Sequence, residues 1–435
     1  MLRSVLAPLL YTLLAASLAA AAEPKAWVRE HLDDLVRFYR ELHQAPELSF
    51  HEKQTAEKLA AELRAVGAKV TTNIGGYGVV GILENGPGPR LMLRTDMDAL
   101  PVVENTQLAY SSRVKVKDDA GAEVGVMHAC GHDIHMTNLI GVARYLAANK
   151  DLWSGTLMFL CQPAEERGSG AKRMLQDGCF DRFFKPDFSL AVHVDGTLAA
   201  GSVGYRAGPT LANVDSVDIT IRGRGGHGAY PHTTIDPIVQ AARLVLDLQT
   251  IVSREIKPTD PSVITVGSIH GGAKHNVIAD TCHLQVTVRS FNDAVRKHLL
   301  AAIERKAKAT AASSGAPEPT IVVSEGTPSM HNDEKLVERV VPVLRRTLGD
   351  DKVVPSEASM GGEDYSEYGL AGVPIFMFRL GSVDAQRLAG FERVGQEPPS
   401  LHSPVYYPDA EETLSTGVIA TSAAVLDLLP PKKSF

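Results

Sequence analysis

The chain has 435 residues, and its 44 Lys+Arg against 51 Asp+Glu leave a formal net charge of -7, which argues against the basic face of a nucleic-acid binder. Hydrophobic residues at 44% and charged residues at 22% are globular values, and 37 Gly and 25 Pro without a Gly-X-Y period exclude a collagen-like chain. Four Cys in so long a chain make no disulfide framework.

At about 100–200 residues per domain, the length predicts two or three domains. Residues 1–22 carry Arg3, an apolar stretch from Val5 to Ala19 and a small-residue run to Ala22. That order predicts a secretory signal peptide cleaved near Ala22, and hence export to the periplasm or medium. The rival reading is an uncleaved anchor, for which the run is marginal against the roughly 20 residues a bilayer needs. No later segment is long and apolar enough to span, so no stable membrane span is expected after cleavage.

Val28, Leu32, Leu35, Val36, Tyr39 and Leu42 recur at helical spacing and predict a helix over Trp27–Leu42. Ser49 with Glu52 has the pattern of a capping box that opens a second helix, which Gly67 closes. Short apolar runs at Tyr77–Leu83, Leu91–Arg94, Leu157–Cys161 and Ser189–Val194 read as buried strands, with a helix over Met136–Ala148 between them. The alternation predicts an α/β fold with a mostly parallel sheet and helices on both faces.

Residues 215–328 read differently. Strand Val217–Arg222, helix Asp236–Val252, strands Val263–Ile269 and His283–Arg289, helix Ala294–Ala312 and strand Thr320–Val323 follow in order. This βαββαβ order is an α+β unit of ferredoxin-like type. The α/β character returns in 329–435 with strand Ile375–Phe378 and helix Thr413–Leu429. The expected organisation is a larger domain made of 23–214 and 329–435, with the small one inserted.

Five segments at or after predicted strand ends carry acids, His or Cys. Asp96 and Asp98 follow a buried strand, where open α/β sheets place ligands. Cys130-Gly131-His132 offers a thiol and an imidazole, donors that favour zinc-like ions. Glu165 and Glu166 are adjacent carboxylates, suited to one metal ligand and one proton carrier. His193 ends a strand and His402 lies late in a loop. Each alone also fits a polar turn, a buried thiol, a charged loop or a structural His. Together Cys130, His132, Glu166, His193 and His402 are enough donors for two divalent ions if one donor bridges. Cys130 has the lone pairs to bridge, and Glu165 is left over as base. Cys161, Cys179 and Cys282 have no ligand spacing and read as buried or free thiols.

The ordered motifs RTDMDALP, HACGHD, QPAEE, HVD, GRGGHGAYPH, HNVIAD, GGEDYS and LHSPVY resemble the aminoacylase and carboxypeptidase-type di-metal amidohydrolases, the twentieth metallopeptidase family. The resemblance runs from about Leu35 to Leu429 and is closest to the branch of hippurate hydrolases and plant auxin–amino acid conjugate hydrolases. It implies a metallopeptidase-type α/β catalytic domain with an inserted lid or dimerisation domain, and a possible homodimer through that lid. By motif, Cys130, His132, Glu166, His193 and His402 match metal ligands, Glu165 the general base, and Asp98 an acid that orients a ligand. Other branches place a metal-binding His where Asp96 stands and bridge with an Asp; here Cys130 and His193 replace that arrangement. His193-Val194-Asp195 departs from the more usual His-Val-x-Pro.

His227 matches a His that stabilises the tetrahedral oxyanion, often across a dimer interface. Asn276 matches an Asn near the substrate carboxylate, with Arg289 on the neighbouring strand as its support and Gly362 lining the pocket. The implied enzyme is an exported amidohydrolase with two divalent ions per subunit, zinc or manganese, with nickel or cobalt also allowed. It would cleave the amide of an N-acyl amino acid, with a dipeptidase or carboxypeptidase as the alternative. A binding protein that has lost activity is the non-enzyme rival, and intact Glu165 with all five donors speaks against it.

Overall fold

The computed structural model describes residues 23–432, and the predicted signal segment 1–22 lies outside them. The chain forms two compact units. Among the described residues one comprises 23–208, Asn332–Ser356 and 371–432; the other comprises Pro209–His331 and Glu357–Leu370.

The first unit opens with helices α1 (Pro24–His43) and α2 (Lys53–Ala65), then strands β1 (Lys69–Ile74), β2 (Gly78–Asn85) and β3 (Arg90–Asp96). Helix α3 (His132–Ala148), β4 (Gly155–Gln162), β5 (Phe188–Ala199) and β6 (Val203–Tyr205) follow. The second unit supplies β7 (Asn213–Arg222), α4 (Pro237–Glu255), β8 (Ser262–Gly271), β9 (Thr281–Ser290), α5 (Asp293–Ser313) and β10 (Thr320–Glu325). The chain then returns to the first unit with α6 (Glu334–Leu348), β11 (Val353–Pro355), β12 (Ile375–Val383) and α7 (Ala410–Leu428).

The first unit is built on one sheet of order β1-β2-β4-β3-β5-β12-β6-β11. Its four central strands, β4, β3, β5 and β12, are parallel, as their long apolar runs require of strands covered on both faces. The flanks depart from the expected parallel pattern, because β1–β2, β2–β4 and β12–β6 pair antiparallel. Gly75 and Gly76, at φ 64° and 118°, turn β1 back on β2. Among β1 residues only Ile74 is buried, so this edge strand shows no apolar run in the sequence. Burial of Leu35, Tyr39, Leu59, Leu139, Ile140, Leu414 and Val418 shows helices α1, α2, α3 and α7 closing the core.

Helix α2 begins at Lys53, three residues after the start that a capping box of Ser49 and Glu52 predicts, and neither side chain caps it. Glu52 stands at the N-cap without a side-chain capping bond. The first-turn donors go instead to Glu47, whose carboxylate accepts the N–H of Thr55 at 2.8 Å and its hydroxyl at 2.9 Å. Gly67 follows the helix at φ 85°, the left-handed turn expected of it.

The second unit has the predicted βαββαβ order. Its antiparallel sheet runs β8-β9-β7-β10, with α4 and α5 on its core face. Val217, Ile219 and Ile221 alternate inward from β7 against Leu244, Leu248 and Ile303 of the helices. This compact unit begins at Pro209 rather than 215 and draws in Glu357–Leu370. That stretch is tied by Ala212 N–H donating to Ser359 and Gly361 carbonyls, at 3.2 and 3.0 Å. Among the described residues no helix is long and apolar enough to cross a membrane.

Candidate metal centre

Parallel pairing decides where the site forms. β3 and β4 run in register to their carboxyl ends, with Asp96 opposite Gln162. The turns after them, carrying Asp98 and Glu165-Glu166, therefore leave the sheet from the same rim, where open α/β sheets bind ligands.

Cys130 and His132 reach this rim around Gly131, which takes φ 76° at the start of α3. A Cβ there would meet Val194 Cγ2 at 2.6 Å, so glycine is required for both backbone and space. His132 Nδ1 donates to the Asp98 carbonyl at 2.8 Å, which turns Nε2 into the cluster. His193, inside β5 rather than at its end, donates Nδ1–H to Val194 O at 2.8 Å and places Nε2 3.6 Å from Cys130 Sγ. His402, at φ 69°, is anchored by its N–H to Ala129 O. Its Nε2 lies 3.3 Å from Cys130 Sγ and 3.5 Å from Glu166 Oε1. In each ring an outer hydrogen bond or a rigid backbone aims the inner nitrogen, as metal-ligating His requires.

Of the donor triads among the described residues, two contain Cys130. Cys130, His132 and His193 form one, and Cys130, Glu166 and His402 the other, each with ligand atoms within 4.8 Å of one another. Cys130 belongs to both. His132, Glu165 and Glu166 form a further group of the same tightness, which puts Glu165 beside the ligands. The residues present fit divalent ions: His132 Nε2 and Glu166 Oε1 are buried 3.8 Å apart, and neither has a hydrogen-bond partner. Within the second triad His402 Nε2 stands 3.3 Å from Cys130 Sγ and 3.5 Å from Glu166 Oε1, about the separation of ligands around a tetrahedral zinc at about 2.0–2.3 Å.

The electrostatics point the same way. Burial, reinforced by Glu166, pushes the Cys130 thiol well up. Burial lifts the Glu166 carboxyl to about 7, against the pull of His132. Burial and the neighbouring His135 hold His193 well below the usual imidazole range, and burial with His132 lowers His402. His132 goes the other way: burial opposes its charge, but Asp96 and Asp98 hold it well above the usual imidazole range. A bound cation would compete with that proton at His132, meet neutral rings at His193 and His402, and ionise the thiol and the carboxyl.

The Asp98 carboxylate binds the turn after β4. Its Oδ1 accepts Glu165 N–H at 3.1 Å and its Oδ2 accepts Glu166 N–H at 3.0 Å, with the Ser49 hydroxyl at 2.6 Å. Burial opposes its charge, yet the hydrogen bonds from His132 and Ser49 keep its carboxyl below the usual range. Below it lies a layer around Asp96, which the sequence singles out, although its hydrogen bonds are not read there. Asp96 accepts from Arg94 Nη1 and His135 Nδ1, both at 2.7 Å, and His135 Nε2 accepts Val194 N–H at 2.9 Å. The i,i+3 spacing of His132 and His135 on α3 was the available signal.

The remaining site candidates belong to the second unit. His227 pairs with Val277, and Gly228 N–H donates to Asn276 O at 2.9 Å, so His227 and Asn276 are neighbours. His227 is exposed, and its Nδ1 accepts Ala229 N–H at 3.0 Å. Arg289 sits at the far end of β9, where it donates to Met360 O at 2.8 Å. Gly362 packs there, since a Cβ on it would meet Val214 Cγ2 at 2.4 Å, and Val214 pairs with Arg289. At about 3.3 Å per residue the length of β9 separates the two pairs. Arg289 thus does not support Asn276 as the sequence suggested; it keeps company with Gly362.

Residues 92–391 match the family model described as peptidase family M20/M25/M40. The chain belongs to this family. It is 36% identical over 359 residues to thermostable carboxypeptidase 1 of Saccharolobus solfataricus, covering 82% of this chain and 87% of that one. It is 32% identical over 406 residues to IAA-amino acid hydrolase ILR1-like 2 of Arabidopsis thaliana, covering 93% and 87%. The crystal structure of the Bacillus subtilis YXEP protein, a dinuclear metal binding peptidase of family M20, aligns with a TM-score of 0.75 at 27% identity, over 92% of this chain and 99% of that one. This M20 chain is an enzyme, a metal-dependent hydrolase of amide C–N bonds with an α/β metallopeptidase fold.

Proposed function

We propose that the enzyme hydrolyses the amide of an N-acyl amino acid, releasing a carboxylic acid and a free amino acid. The observation that carries the reading is Cys130 shared between two donor triads with Glu165 beside them. Similarity to an amino acid conjugate hydrolase over most of the chain supports the substrate class. Bound divalent ions, zinc or manganese with nickel or cobalt also suited, supply Lewis acidity that polarises the amide carbonyl and acidifies water. Cys130, His132 and His193 would hold one, and Cys130, Glu166 and His402 the other.

Glu165 takes the proton of the attacking water and passes it to the leaving amine. Asp98 keeps the Glu165 and Glu166 backbones in place through their N–H groups. On the motif resemblance, His227 serves as oxyanion donor, Asn276 as a contact to the substrate carboxylate, and Arg289 and Gly362 as pocket residues. The test is chelator-sensitive release of an amino acid from a panel of N-acyl amino acids and dipeptides. Cleavage of dipeptides with no N-acyl amino acid turned over would favour the second reading, a dipeptidase or carboxypeptidase, which the carboxypeptidase relative supports.

We also infer export, from the order of residues 1–22. N-terminal sequencing of the exported protein should begin near Glu23. A homodimer through the second unit is the expected assembly, readable by light scattering.

A further inference from the structure

We propose that Glu52 is a positioning residue for the reaction, holding the Glu165-Glu166 turn through the backbone of Ala164. Glu52 is fully buried, and its Oε1 accepts the Ala164 N–H at 2.7 Å. Ala164 stands directly before Glu165 and takes φ 52°, a left-handed conformation that residues with a Cβ rarely adopt. Asp98 accepts the next two amides, those of Glu165 and Glu166. Three successive N–H groups are therefore gripped by two buried carboxylates, one from the exit of β3 and one from the start of α2. The other face of Ala164 is fixed as well, since its carbonyl accepts Gly170 N–H at 3.2 Å.

Two further observations separate this from ordinary packing. Glu52 makes no capping bond to its own helix, so α2 does not use the carboxyl. Its Oε2 is buried with no hydrogen-bond partner, and such burial costs stability that an apolar residue of the same size would not. Ser49, three positions earlier, donates to Asp98, so one short segment braces both carboxylates. Rotation at Ala164 would swing both Glu165 and Glu166, and chemistry of this kind is sensitive to displacements of about 1 Å. The inference rests on the roles proposed above for these two residues.

The test uses the full chain loaded with metal and compares Glu52→Leu with Glu52→Gln. Glu52→Leu removes the acceptor; kcat for amino-acid release should fall on the order of 10²-fold, with KM changed by less than about threefold. Glu52→Gln keeps an oxygen for the Ala164 N–H and should return kcat to within about tenfold of wild type. Wild-type kcat in Glu52→Leu overturns the role, and so does a Glu52→Gln variant no better than Glu52→Leu. Because Glu52→Leu can fail to fold, hydrogen exchange on the wild-type chain gives an independent reading. The amides of Ala164, Glu165 and Glu166 should be protected although they lie in a turn, and free exchange there overturns the proposal. If the wild type cleaves nothing in the substrate panel, the functional reading fails while the exchange measurement still decides the position of Glu52.

Discussion

Cys130 Sγ and His402 Nε2 stand 3.3 Å apart although 272 positions separate the two residues along the chain. The contact depends on a left-handed His402 tied to Ala129 and on the left-handed Gly131 that follows Cys130. It brings a candidate donor from a late loop into the cluster that α3 and β5 begin.

Cys130→Ser should weaken metal retention and activity together, because one side chain serves both donor triads. Elemental analysis should give close to two divalent ions per wild-type chain and fewer in the variant. In the metal-loaded protein the Cys130 thiolate should resist alkylation, and chelation should expose it. Equal alkylation in both states would remove it from the ligand set.

Glu165→Gln and Glu166→Gln should fail differently. General acid–base groups contribute about 10²–10⁴-fold, so Glu165→Gln should lower kcat by at least that range's lower end while metal content stays near wild type. Glu166→Gln should lose metal, since its Oε1 is an unpartnered buried atom facing His132 and His402. A Glu165→Gln enzyme that keeps more than about a tenth of the wild-type rate places the base elsewhere.

Asp98→Ala removes the acceptor of both Glu165 and Glu166 amides and of the Ser49 hydroxyl. Outer groups of this kind typically change metal affinity or activity by about 10–100-fold. The expected outcome is a loss of that order in metal affinity, measured by competition with a chelator. An unchanged affinity would make the acid dispensable.

His43 should make stability depend on pH. Its buried ring lies 2.7 Å from Asp133 and 3.1 Å from Glu104. Burial favours the neutral ring, but the hydrogen bonds that the ring donates to these two carboxylates prevail and raise it to about 9. A folded value above the unfolded 6.5 means that the stabilisation is fully present below about pH 6.5 and is lost as pH rises through about 9. At 1.36 kcal/mol per pH unit the effect is on the order of 3 kcal/mol. The Tm gap between wild type and His43→Gln should therefore be widest near pH 6 and shrink by pH 10; a gap independent of pH would refute the charged ring.

The sequence by itself determined the family, the five donors that the structure clusters, and the βαββαβ order of the second unit. Those features live in residue identity and local periodicity: Cys130-Gly131-His132 is a tight turn in any context, and alternating Val217, Ile219 and Ile221 need only a sheet face to bury them. Only the tertiary structure decided the rest. Ser49 and Glu52 read as a helix cap because a capping box is a local pattern, but Asp98 and the Ala164 amide, brought in from elsewhere in the chain, compete for them and win. β1 carries no apolar run, so its hairpin with β2 shows only in the pairing. Arg289 lies close to Asn276 in the sequence, yet an extended strand stands between them. The layer of Arg94, Asp96 and His135 forms because β3, α3 and β5 meet at one rim, and hydrogen bonds between distant segments leave no period for a sequence to display.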